Sequence, residues 1–175
     1  MRRVLLVLTL VLTLVCGLFM HTGSDNRNSK PVFISKAYEE LDKNEKNEID
    51  CLALNIYREA GIEKDDGKFA VALVTMNRVK APGFPTTVCK VVSHKTNGTC
   101  QFSWKCIRAL PKIDLDAYTY SRNIAIQVFL NHDIIDDITR GALFYHADYV
   151  RPRWSKLEVT TKIGRHIFYK PTGVV

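Results

Sequence analysis

Apolar side chains return at helical intervals through the first half of this chain and in shorter runs through the second. After Asp42-Lys-Asn-Glu45, a capping box, the apolar positions are Ile49, Leu52, Ala53, Ile56 and Ala60. That spacing predicts a helix stopping at Gly61. A second stripe, Phe69, Ala72, Leu73, Met76 and Val79, widened by Ala70 and Val74, predicts a central and mostly buried helix. Its start is expected near Asp65-Asp66, and Pro82-Gly-Phe-Pro85 ends it. Thr86-Thr87 is placed to cap a short helix over Val88 to Val92. Asn97-Gly98 marks a hairpin turn. Asp114 or Asp116 opens another helix, with Tyr118, Ile124 or Ala125, Phe129 and Leu130 on its apolar side. Ala142 to His146 and Ile163 to Tyr169 read as strands. The expected class is α+β, mainly helical, with a small β-hairpin or sheet element.

The ends of the chain follow a different pattern. Met1-Arg-Arg3 precedes an apolar run from Val4 to Met20 with no polar face. A basic start and an apolar centre make an export signal, and the run also reaches the short end of a membrane span. Residues 1–23 are therefore expected to be a signal peptide or membrane anchor, with any membrane contact limited to residues 4–20. A polar linker over 24–44 leads to a catalytic domain over 45–172, and residues 31–41 carry enough apolar positions for a short strand or helix.

Composition narrows this only slightly. The chain has 175 residues and a net charge of +7, which falls to +5 without Arg2 and Arg3. The surplus suits an acidic polymer and equally suits plain solubility. Arg151, Arg153, Lys156, Lys162 and Arg165 form a C-terminal basic cluster, read first as a solvated face. Cys16 lies in the export segment, which leaves Cys51, Cys89, Cys100 and Cys106. In an exported chain these predict two disulfides. Three pairings are open, and the short loop around Asn97-Gly98 favours Cys89–Cys100 with Cys51–Cys106.

The residue on which chemistry would turn is Glu59. It sits on the border of the buried face of the first helix. A carboxyl among apolar neighbours holds its proton longer, and a protonated carboxyl can donate to a glycosidic oxygen. The ordinary alternative is a surface glutamate paired with Arg58 or Lys64. The usual glycosidase places a second carboxylate across the sugar. Glu63, Asp65, Asp66 and Asp148 are the candidates, and none fits well. Gln101-Phe102-Ser103-Trp104 mixes amide, hydroxyl and aromatic groups suited to sugars, although the two aromatics serve a core equally well. His94, His132, His146 and His166 match no zinc spacing, and no nucleophile elbow or phosphate loop occurs. No metal and no cofactor is expected.

Six segments in order resemble one family. They are Cys51-Leu-Ala-Leu-Asn-Ile-Tyr-Arg-Glu-Ala60, Gly67 to Val79, Phe84 to Cys89, Cys100 to Trp104, Gly141 to Trp154 and Ile163 to Phe168. Together they resemble the SleB-type cell wall hydrolases, the spore-cortex-lytic enzymes and their bacterial and phage relatives, over roughly residues 48–170. The resemblance implies a lysozyme-like single domain that cuts peptidoglycan between N-acetylmuramic acid and N-acetylglucosamine. It implies Glu59 as general acid in a lytic transglycosylase, which agrees with the missing second carboxylate. Gln101, Phe102, Ser103, Tyr145 and His166 are expected to bind substrate. The implied partner is peptidoglycan rather than nucleic acid, met by a monomer in the periplasm or cell wall. Three positions depart from the family pattern. Glu59-Ala-Gly-Ile-Glu63 has its glycine one place early, Phe144 stands where relatives carry histidine, and Lys105-Cys-Ile-Arg108 lacks an acidic residue. A wall-binding module without catalysis, and a metal-dependent amidase or peptidase, are the competing classes.

Overall fold

The computed structural model describes residues 35–173; the expected signal or anchor and most of the expected linker lie outside them. Helix α1, Lys43–Ala60, starts where its capping box predicts. Asp42 accepts from the backbone N–H groups of Asn44 and Glu45, and Glu45 reaches back to the Asp42 N–H at 3.0 Å. Ahead of it, a 3-10 turn over Tyr38–Glu40 is tied to α1, with the Tyr38 hydroxyl donating to Asp50 at 2.6 Å and Leu41 buried. Gly61 ends α1 in a right-handed conformation, φ −56°. Space, not handedness, asks for glycine there, because a Cβ would run into the Tyr57 carbonyl.

Helix α2, Asp65–Lys80, follows a tight turn. Its N-cap is Lys64, with no side-chain cap. Asp65 and Asp66 occupy the first turn instead, where their charge meets the positive end of the helix dipole. Ala70 to Met76 is buried without interruption, so α2 is the central helix. The short α3, Val88–Val92, is capped by Thr87. Strands β1, Lys95–Thr96, and β2, Thr99–Cys100, turn at Asn97-Gly98, where both residues have positive φ. A 3-10 turn covers Ser103–Cys106, and α4, Leu115–Asn131, opens on Asp114. The main core lies between α1, α2, α3 and α4, with Phe102 and Trp104 inside it. Among the described residues no helix is long and apolar enough to cross a membrane.

The second half forms an antiparallel sheet of β3, Phe144–Ala147, β4, Leu157–Ile163, and β5, His166–Pro171, in the order β3-β5-β4. The strand expected over Ile163–Tyr169 is in fact the end of one strand and the start of the next. The chain turns at Gly164, φ +54°, and the polar β4 that precedes it was not anticipated. A small apolar cluster of Ala70, Val74, Ala142 and Phe168 seats the sheet on α2.

Two disulfides form, but not in the favoured pairing. Cys51 joins Cys89 and Cys100 joins Cys106, with Cα–Cα distances of 5.2 and 6.0 Å. The correction has a clear cause. Packing of α3 against α1 brings Cys89 to Cys51, while the hairpin carries Cys100 onward to the 3-10 turn that Cys106 closes. The first bond closes 38 residues and the second 6.

Candidate active site

Glu59 stands one residue before the end of α1. Ile56 and Ala60 are both fully buried, so the helical phase leaves Glu59 half-buried at the edge of the core. Across from it, the Tyr145 hydroxyl on β3 donates to Glu59 Oε2 at 3.1 Å. Burial pushes the Glu59 carboxyl above the ordinary glutamate value. The Tyr145 hydrogen bond and the charge of Arg78 pull the other way and only partly offset it. Burial, and then the neighbouring Glu59 charge, hold the Tyr145 phenol well above its usual value, so it stays a neutral donor.

Arg78, on the last turn of α2, is 4% exposed. Its Nε donates to the Leu143 carbonyl at 2.7 Å. Its guanidinium carbon lies 5.0 Å from the Phe102 ring centroid, 5.5 Å from Phe84 and 5.8 Å from Phe144. Burial lowers its pKa, yet a guanidinium starts so high that it remains a cation. The adjacent Asn77 donates to Asp137 at 2.9 Å, Thr139 at 3.4 Å and the Ala142 carbonyl at 3.2 Å. Asn77 and Arg78 thus clamp the backbone of Ala142-Leu143 to α2, and that clamp delivers Tyr145 to Glu59. Sequence reasoning gave these two residues no role. The available signal was a charged and an amide side chain directly after the unbroken buried run from Ala70 to Met76.

The remaining expected residues are divided. His166 joins the site, with its ring edge-on to Tyr145 at 5.2 Å. It is buried, burial lowers its pKa, and its Nδ1 has no partner among the described residues. It is therefore neutral near pH 7. Gln101 is half-exposed and donates to Thr96 Oγ1 at 2.8 Å, and Ser103 is exposed on the segment stapled by Cys100–Cys106. Phe102, at 2% exposed, is a core side chain whose ring faces Arg78. Trp104 is also core. Its indole N–H donates to Asn55 at 3.1 Å, and Asn55 donates to Thr75 at 3.2 Å, so a buried polar chain is satisfied.

The candidates for a second carboxylate are mostly engaged elsewhere. Glu63 lies against Gly164 and accepts from the Arg165 N–H at 3.4 Å; a side chain at Gly164 would collide with it. Asp148 pairs with Lys162 at 3.1 Å, and Asp65 accepts from Tyr120 at 2.8 Å. Among the described residues no three or more of His, Cys, Asp and Glu gather so as to hold a metal ion.

Comparison with known proteins places the fold. The family model described as Cell Wall Hydrolase matches residues 62–169, beginning just past Glu59. No curated protein sequence matches the chain. Among solved structures, the catalytic domain of the Bacillus cereus SleB protein is similar at 26% identity with a TM-score of 0.51, covering 82% of this chain and 100% of that one. The α+β fold is accordingly lysozyme-like. A family match over more than half of the sequence, joined to a shared fold, means that the chain belongs to the cell wall hydrolase family of the SleB type.

Proposed function

We propose that this protein cleaves the glycan strand of peptidoglycan between N-acetylmuramic acid and N-acetylglucosamine, with Glu59 as its single general acid and base. The observation that carries the reading is the half-buried Glu59 carboxyl, biased toward its protonated form and held by the Tyr145 hydroxyl. Membership of a cell wall hydrolase family supports the substrate class.

The steps balance as follows. Glu59 gives its proton to the glycosidic oxygen as the C1–O bond breaks, leaving an oxocarbenium ion and a glutamate carboxylate. The 6-hydroxyl of the same muramic acid attacks C1, and its proton returns to Glu59. The product is a 1,6-anhydro end, with no water consumed. Tyr145 and Arg78 stabilise the carboxylate between the two steps, since both act against the effect of burial. The engagement of Glu63, Asp65 and Asp148 with other groups favours this route over one needing a second carboxylate to activate water. Such a reaction belongs outside the cytoplasm, which suits the apolar N-terminal run.

Two measurements test the reading together. The purified protein clears a suspension of peptidoglycan, and Glu59→Gln, which keeps the side-chain shape, loses that activity by a factor of about 100 or more. Mass spectrometry of the digest shows anhydro ends. Hydrated ends would replace the transglycosylase step with hydrolysis. Undiminished clearing by the glutamine variant would remove Glu59 as the acid, and binding without clearing by either form would leave a wall-binding module.

A further inference from the structure

The pairing of β3 with β5 sorts their side chains by face. Tyr145, His166 and Phe168 share the side turned toward α2, and Phe144, His146 and Tyr169 share the other. That outer side is aromatic, with half-buried rings and an exposed Trp154. Phe84 meets Phe144 at 6.0 Å, Phe144 meets Trp154 at 6.0 Å, and Trp154 meets both His146 and Tyr169 at 5.4 Å. His146 is fixed by its hydrogen bonds to the Ala147 carbonyl and the Tyr169 hydroxyl, both 2.8 Å. Trp154 is 43% exposed, and a cavity of about 230 Å³ opens between these rings and Arg151. An exposed tryptophan joined to a run of half-buried rings is the kind of apolar patch that marks a binding site.

The charges beside it suggest what. Lys162 and Lys170, on the neighbouring strands, are paired with Asp148 and Glu158 at 3.1 Å. Arg151, Arg153 and Lys156, on the loop that carries Trp154, have no acidic partner among the described residues. The loop therefore offers cations that are unpaired among the described residues next to flat rings. The run of rings is also continuous with the candidate active site, because Phe84 and Phe144 flank Arg78, the cation whose charge acts on Glu59.

We propose that the outer face of this sheet is a second peptidoglycan-binding surface, with Trp154 as the platform for the C–H face of a sugar ring and Arg151 and Arg153 as the partners of stem-peptide carboxylates. It holds the polymer at a distance from the bond being cut and lets the enzyme stay on an insoluble wall between cuts. Trp and Arg are the side chains that most often dominate binding at such surfaces. The inference rests on the muralytic reading above for its choice of polymer.

The test is co-sedimentation with purified cell walls, using the full chain carrying Glu59→Gln so that the walls stay intact. Adding Trp154→Ala weakens binding about tenfold or more, and Trp154→Phe retains part of it. Arg151→Glu with Arg153→Glu, both on exposed positions, weakens binding and flattens its dependence on salt. Walls stripped of teichoic acids bind the parent as before. Unchanged binding by both the Trp154→Ala and the double-charge variant would overturn the surface. So would loss of parent binding on stripped walls, which would assign the cations to teichoic acid. Clearing by the protein with Glu59 intact is scored separately. If it clears walls while these variants bind normally, the second surface alone is wrong. If it does not clear walls while the variants lose binding, the surface stands and the catalytic reading falls.

Discussion

Replacing Tyr145 with phenylalanine tests the electrostatics of Glu59 with little disturbance of packing. The ring contacts, 5.2 Å to His166 and 5.6 Å to Phe168, do not need the hydroxyl. What is lost is one hydrogen bond of 3.1 Å to Oε2. A hydrogen bond to a charged group contributes about 1.5–3 kcal/mol. This one is longer than the ~2.6 Å of a strong hydroxyl–carboxylate bond, so the lower end, about 1.5 kcal/mol, applies. Because the bond favours the ionised form, its removal raises the Glu59 pKa further. At about 1.4 kcal/mol per pH unit, the displacement is about one unit upward. The assay is the pH dependence of kcat/KM on solubilised peptidoglycan. In the proposed mechanism the reaction needs protonated Glu59 and falls on the alkaline side as the proton leaves, so the alkaline limb of Tyr145→Phe moves up by about one pH unit. Stability follows the same sign. Glu59 holds its proton more tightly in the folded chain, so its contribution is full in acid and fades between the ordinary glutamate value and its raised folded value. An alkaline limb that stays in place, or moves toward acid, refutes the account of how Tyr145 acts on Glu59.

Two further expectations concern the frame around the site. Replacing Cys51 and Cys89 with serine costs about 4 kcal/mol of stability and replacing Cys100 and Cys106 about 2, from loops of 38 and 6 residues; guanidinium denaturation checks the order, and a reversed order would contradict loop closure as the cause. Asn77→Ala removes the donor shared by Asp137, Thr139 and Ala142 and lowers stability by about 2–3 kcal/mol, with a fall in kcat because Tyr145 is no longer held; a loss of stability with kcat unchanged would show that the clamp does not position Tyr145.

Much of this architecture is legible in the chain because it is local. Asp42, Thr87 and Asp114 cap the helices they precede, and Asn97-Gly98 turns the hairpin, since each acts within a few residues. Glu59 was legible for the same reason, as helical phase alone puts it at the core's edge. The parts that were not legible depend on partners far along the chain. Nothing near Asn77 or Arg78 announces that their partners lie 60 to 65 residues away. The cysteine pairing depends on which face α3 lays against α1. Strand β4 is an edge strand with Val159 60% exposed, so it lacks the apolar alternation that would mark it. Phe102 and Trp104 suited a sugar and a core equally by composition, and only the packing around Asn55 and Arg78 decided for the core.

The separation of 86 positions between Glu59 and Tyr145 bears on when the pair can form. Strand β3 is held by β5, which ends at Pro171, so the phenol has no fixed position until that strand has been made. A ribosome delivers the acid first and its partner much later. During synthesis the nascent chain therefore carries Glu59 without the partner that fixes it, and the arrangement of Glu59 with Tyr145 is complete only after folding is finished.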